Sequence, residues 1–327
     1  MKIAVTGANG HVGYNLCKSL LDKGFQVNAL AHQHTEPIQN LDLRIIRGDL
    51  LDKKSLTELM DETEVVFHLA AQISITGDPS GSVYRNNAEG TRNMISVAID
   101  RKVRRFIHFS SIHAFCQDPQ EKVLDESRPL VNKEAFAYDR SKADGERVVI
   151  EAARNGLDAV VLSPTAIIGP ADPQPSLTGK AVLQLIHHKI PALVPGGYNW
   201  VDVRDIVETA IRAIEKARTG EKYLLGGKWH SLKELSGLVN TYSGEKTVQT
   251  ELPFWSAKLG LPFITAFSRL THTEPLYTKE SLEIVAKGNR LIDNGKAKRE
   301  LGLDPRPLSE TIRDLIAWFY ENKNLSK

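Results

Sequence analysis

Cysteine is almost missing from this chain. Cys17 and Cys116 are the only two in 327 residues, too few for a metal-binding cluster or a disulfide framework. No metal is therefore expected, and a reducing compartment fits. Long apolar runs are also lacking. None approaches the roughly 20 residues of a membrane span, and Lys2 is followed within five residues by Gly7, which leaves no room for a signal-peptide core. The expected location is the cytoplasm. Charge of one sign is not in excess either: 42 Lys and Arg against 40 Asp and Glu give a net charge of +2, too little to attract nucleic acid or an anionic membrane. The basic run Arg101-Lys102-Val103-Arg104-Arg105 reads as a solvated helix end. Repeats and low-complexity tracts are absent, and hydrophobic (41%) and charged (25%) fractions are those of an ordinary globular protein with a substantial core.

What is present is an alternation. Short apolar runs at Lys2–Thr6, Phe25–Ala31, Leu43–Arg47, Val65–Leu69, Phe106–Ser110 and Ala159–Ser163 read as strands. Between them Val12–Lys23, Ser55–Asp61, Asn87–Arg101 and Tyr138–Asn155 space their apolar residues as helices do. This is the pattern of βαβ units around a parallel sheet buried on both faces, and the fold class is α/β, a doubly wound Rossmann sheet. After Pro164 the pattern breaks into turn-rich sequence, Gly169 to Pro175 and then Pro191, Pro195, Gly196 and Gly197. It resumes with a helix near Val203–Lys216 and a strand at Tyr223–Leu225, before a mostly helical tail. The expected division is a dinucleotide-binding domain over 1–166 with returning segments at 201–226. A smaller, discontinuous C-terminal substrate lobe is expected over 167–200 and 227–327.

Two local motifs carry chemistry. Gly7-Ala8-Asn9-Gly10-His11-Val12-Gly13 stands where the first strand turns into the first helix, a setting that points amide donors and the positive helix end at a pyrophosphate. Gly7, Asn9, Gly10, His11, Val12 and Gly13 are accordingly candidate cofactor contacts. Tyr138 and Lys142 lie at i and i+4, one turn apart on one helix face, and an ammonium beside the phenol is expected to lower its pKa. The end of the second strand, Asn28 to His34, holds no acid to bind the ribose hydroxyl of NAD. NADP is therefore favoured over NAD, with His32 the residue available to a 2′-phosphate. Asp49 and Leu50, just after the third strand, offer polar groups to the adenine edge.

In their order and spacing these motifs resemble the extended short-chain dehydrogenase/reductase superfamily across nearly the whole chain. The resemblance rests on Gly7–Gly13, Gly48-Asp49-Leu50, His68-Leu69-Ala70-Ala71, Asn87 to Asn93, Phe109-Ser110-Ser111, Tyr138–Lys142 and Ser163-Pro164-Thr165. Ile168 to Ser176, Asn199 to Asp205 and Leu301-Gly302-Leu303 are similar to the branch of dihydroflavonol 4-reductases and the bacterial proteins named after them. The resemblance implies that Tyr138 is the catalytic acid. Lys142 would hold the nicotinamide ribose and tune the phenol, and Ser111 rather than Ser110 would bond the substrate oxygen. It further implies that Leu69, Ala70 and Ala71 form the loop under the nicotinamide, that Asn87 props the active-site loop, and that Pro164 and Thr165 lie near the carboxamide. His68 is read as a structural histidine. His113 faces either the pocket or the exterior.

The expected activity is reduction of a small or medium ketone or aldehyde by an NAD(P)-dependent oxidoreductase, monomer or homodimer, with the carbonyl compound or its alcohol as partner. Two other readings stay open: a sugar-nucleotide epimerase with tightly held NAD, and a non-catalytic cofactor-binding protein. Ile112 and His113 stand where the superfamily's dehydratases carry an Asp-Glu pair, which disfavours dehydration. The pocket walls are expected after Ala71, at Ile112–Phe115, from Ile167 to Trp200, and from helices holding Trp255, Phe263 and Phe267.

Overall fold

A computed structural model describes every residue except 33, 272–276, 323–324 and 326–327, and leaves out the side chains of 263–271. The chain opens with β1 (Lys2–Thr6), α1 (His11–Asp22), β2 (Gln26–Ala31), β3 (Arg44–Arg47), α2 (Lys53–Leu59) and β4 (Val65–His68). A short α3 (Ser82–Tyr84) runs through a π-helical turn, Arg85–Glu89, into α4 (Gly90–Asp100). Next come β5 (Arg105–Phe109), α5 (Ala137–Arg154), β6 (Ala159–Pro164), β7 (Ala166–Ile168), α6 (Leu177–Ile186), β8 (Gly197–Asp202), α7 (Val203–Lys216) and β9 (Lys222–Leu225). The remainder is β10 (Lys228–Ser231), α8 (Leu232–Ser243), α9 (Phe254–Thr271), α10 (Lys279–Lys287), α11 (Gly295–Leu301) and α12 (Leu308–Glu321).

Seven strands make one parallel sheet in the order β3-β2-β1-β4-β5-β6-β9, a Rossmann arrangement. Successive side chains alternate across it. Ile3, Val5, Val65 and Phe67 face α1 and α7, whereas Ala4, Val66 and Phe106 face α2, α4 and α5. Both faces are thus covered, which is why β4, β5 and β6 are buried throughout and mostly apolar. The strand order reverses between β1 and β4, so a crevice opens at the carboxyl ends of these strands, where such folds bind their ligands.

A second, three-stranded sheet, β10-β8-β7, packs with α6, α8 and α12 around Val182, Trp200, Val239 and Phe319. Its strands are three to six residues long, too short to announce themselves by periodicity. Chain segments α7 and β9 return to the first layer system, as does α11 through Ala297 and Leu301. No described helix is long and apolar enough to cross a membrane.

Candidate active site

Tyr138 lies in the first turn of α5, and the helix buries Ser141, Lys142, Gly145 and Glu146 against the sheet. Gly145 permits this approach: a β-carbon there would stand 3.1 Å from the Asn87 carbonyl. Lys142 is buried one turn beyond Tyr138, and its Nζ donates to the Phe109 carbonyl at 2.5 Å. Ser111 follows β5 in extended backbone and caps a 3-10 turn, accepting from the His113 amide at 3.2 Å. Its hydroxyl lies near enough to the Tyr138 phenol to act on the phenol's pKa. Ser110 turns the other way and donates to buried Glu146 Oε2 at 2.7 Å. Strand alternation, readable in the sequence, separates these two serines.

The phenol stands higher than the i/i+4 spacing with Lys142 led us to expect. Burial pushes Tyr138 up to about 12, with the neighbouring Ser111 hydroxyl opposing and Asp139 adding to the rise. The reason is geometric: the ammonium points to the Phe109 carbonyl, and burial lowers Lys142 itself to about 8, with Glu146 opposing. Tyr138 is therefore fully protonated at neutral pH and keeps a proton to give.

The glycine loop fits a dinucleotide. Gly7 has φ +72°, and a β-carbon there would stand 2.8 Å from the Ala70 amide; one on Gly13 would collide with the Gly7 carbonyl. These two glycines serve close packing of α1, β1 and the Ala70 loop. Gly10 differs. Its β-carbon would meet only the Gly7 carbonyl at 3.4 Å, so the side facing the crevice is open. Gly10 caps α1 without a side-chain bond, and the amides of the first turn are directed to the crevice mouth, as pyrophosphate binding requires. His11 reaches sideways, its Nε2 3.1 Å from the Pro170 carbonyl, and Asn9 donates to the His34 carbonyl at 2.9 Å.

A cavity of about 1030 Å³ runs from this loop past Ser111, Tyr138 and Lys142 into the region between α6, β8 and α10. Of the residues expected at the cofactor, Gly7, Asn9, Gly10, His11, Val12, Gly13, Leu69, Ala70, Ala71, Tyr138, Lys142, Pro164 and Thr165 line it. His32, Asp49, Leu50 and Asn87 do not. His32 is 63% exposed at its side chain, with Nε2 3.4 Å from Asp49 Oδ2, and Leu50 packs in the core against Gly90. Asn87 bonds both backbone groups of Gln72, at 2.7 and 3.0 Å, and donates to Ser141 at 2.9 Å, which ties the loop after β4 to α5. Thr165 donates to Asn199 Oδ1 at 3.0 Å.

His68 is structural. Thr91 Oγ1 donates to the Asn87 carbonyl, so His68 Nε2 must donate to Thr91 at 2.9 Å and Nδ1 must accept from Thr6 at 2.8 Å. Burial and nearby Lys142 lower it to about 3. His113 lines the cavity, its ring edge-on to Tyr138, and burial lowers it to about 4, so it is neutral. The expected walls after Ala71, at Ile112 and His113, and from Ile167 to Trp200 are found. Trp255 is not among them: it is 65% exposed, and its neighbours Ser256 and Ala257 face inward. The side chains of Phe263 and Phe267 lie outside the described residues.

Three polar residues escaped the sequence reading. Arg47 ends β3 in register with Ala31, exposed and without an ion-pair partner among the described residues. Asp139 and Glu280 meet beside Tyr138: burial pushes Asp139 up to about 7, with Glu280 adding, and burial with Glu283 does the same to Glu280. His113 Nδ1 is 3.7 Å from Asp139 Oδ1, an oxygen left with no hydrogen bond. Asp139 follows Tyr138 and was legible as a candidate; the approach of α10 was not.

A glycine-looped Rossmann crevice with a Ser, Tyr and Lys converging on it defines a dinucleotide-dependent enzyme of the short-chain dehydrogenase/reductase type. Residues 3–226 match the NAD dependent epimerase/dehydratase family, and the chain belongs to that family, whose members bind NAD or NADP. Sterol demethylase protein B of Methylococcus capsulatus is 31% identical over 98% of this chain and 99% of its own. A Synechocystis sp. protein named provisionally as a dihydroflavonol 4-reductase is 32% identical over 96% and 93%. Among solved structures, gox2253 superposes with a TM-score of 0.85 at 29% identity, covering 100% of this chain and 99% of its own.

Proposed function

We propose that this protein reduces a ketone or aldehyde to an alcohol, with NADP as the preferred cofactor. The observation that carries the reading is the convergence of Ser111, Tyr138 and Lys142 on the cavity that begins at the glycine loop. The nicotinamide supplies a hydride when bound. Tyr138, protonated at neutral pH, gives the proton to the carbonyl oxygen, and Ser111, which lines the same cavity, orients that oxygen and stabilises its developing charge. Lys142 would hold the ribose. Relatives named as reductases support the reaction class. The division into a dinucleotide-binding domain (1–166 with 201–226) and a substrate lobe (167–200 and 227–327) belongs to the same reading.

NADP preference is supported by the missing acid after β2 and by Arg47, which adds a free cation beside Ala31 that His32, occupied by Asp49, does not. The test is oxidation of NADPH and NADH, followed separately with a panel of ketones and aldehydes. Consumption of NADPH by at least one carbonyl compound is the expected result. A protein that retains NAD through dialysis and turns over a nucleotide sugar with no added cofactor would be an epimerase instead; one that binds cofactor and turns over nothing would be a sensor.

A further inference from the structure

Beyond Tyr138 the cavity is chemically one-sided. Ile75, Leu177, Leu193 and Val285 are typical of its walls, and among the described residues Lys142 is the only cation and Glu280 the only acid on the lining. The Lys142 ammonium is already bonded to Phe109. A nucleotide diphosphate, a coenzyme A thioester or a fatty carboxylate would bring negative charge into this chamber with no arginine or free lysine among the described residues to receive it, which is strongly unfavourable.

Glu280 is the one carboxyl on that lining among the described residues, beside neutral polar groups such as Gln117, Tyr198 and Asn289. It is 6% exposed, fronts the cavity, and has no hydrogen bond or ion pair among the described residues. Buried carboxyls are normally satisfied, so one that faces a ligand chamber without a partner points to a partner on the ligand. Asp139 and Glu283 are the charged-type residues that act with it, and neither is a cation. A hydroxyl group suits such a carboxyl in either protonation state, because it both donates and accepts.

We propose that the chamber takes an uncharged, lipophilic ketone or aldehyde that carries a hydroxyl group near the carbonyl, and that Glu280 holds that hydroxyl. The carbonyl part of this inference rests on the reductase reading; the contact at Glu280 does not. Calorimetric titration of the protein saturated with oxidised cofactor, which has no hydride to give, reads binding without turnover. The ligands are decan-2-one, its β-hydroxy derivative, its ω-carboxylate and UDP-glucose. The hydroxy ketone should bind about tenfold more tightly than decan-2-one, and the two anions at least about tenfold more weakly. Glu280→Leu should bring the hydroxy-to-plain ratio close to unity, while Glu280→Gln, which keeps an acceptor and a donor, should retain most of it. Should Glu280→Leu lose cofactor binding, and so its fold, the ratio in Glu280→Ala decides. No hydroxyl preference in the native protein, a preference that survives Glu280→Leu, or anions that bind as tightly as decan-2-one would each overturn the proposal. Absence of NADPH oxidation with a bound hydroxy ketone would instead overturn the reductase reading and leave the Glu280 contact standing.

Discussion

Two groups of buried acids in this molecule are built in opposite ways. At the turn from β8 into α7, Asp202 caps the helix by accepting from the Arg204 amide at 2.8 Å and binds its guanidinium. Arg204 also reaches Asp314 of α12 at 2.7 Å. Asp205 bonds Arg306 through both side chain and backbone. Beside Tyr138, Asp139 and Glu280 have no lysine or arginine partner among the described residues. Burial raises the carboxyl of Asp205 too, but there Arg306 opposes it; Asp139 and Glu280 rise unopposed to about 7. The paired group fastens α7 to α12 and serves the fold. The unpaired group is retained at an energetic cost, and perturbed, unpartnered groups in a cleft are the mark of a functional site.

The sharpest way to break this comparison is Arg306→Met, which leaves Asp205 buried with only a backbone amide. Unfolding free energy from urea denaturation should fall by about 3 kcal/mol, with cofactor affinity preserved below the transition. A loss within about 0.5 kcal/mol would reduce the junction to an ordinary surface pairing. Tyr138→Phe should do the reverse: turnover drops roughly 100-fold or more while stability and cofactor affinity hold. Steady-state kinetics beside cofactor titration will show it, and near-normal turnover would remove Tyr138 from the reaction.

A smaller effect is expected at the cofactor. Arg47→Leu should cost NADPH about tenfold in affinity and leave NADH unchanged, and Ala31→Asp should move the same ratio in the same direction by repelling a 2′-phosphate. Native protein that prefers NADH, or a ratio unmoved by either substitution, would remove both residues from cofactor choice.

The smallest change concerns the acids themselves. Asp139 has a folded-state pKa raised from 3.8 to about 7, so between these values the folded state binds more protons than the unfolded one and stability falls as pH rises. Asp139→Asn removes that loss. Its melting temperature should match the native protein near pH 4 and exceed it by roughly 2 °C or more at pH 8. His68 and His113 act in the opposite sense below pH 6.5, but they cancel in the difference between the two proteins. A difference that does not grow with pH would mean that Asp139 finds a cation in solution.

The sequence by itself determined what is local or periodic. Apolar runs buried on both faces located the strands of the large sheet, the glycine spacing at the end of β1 located the loop, and a one-turn separation put Tyr138 and Lys142 together. Alternation alone distinguished Ser111 from Ser110. The three-stranded sheet escaped because its outer strands, β7 and β10, are only three and four residues long and partly exposed. Tertiary structure decided everything that depends on which distant segments meet. Strand register set Arg47 beside Ala31, the fold of α9 turned Trp255 outward, and the return of α10 brought Glu280 to Asp139. It also reversed the expected phenol shift, because a pKa depends on burial and on where the ammonium points, and neither is a property of spacing along a helix.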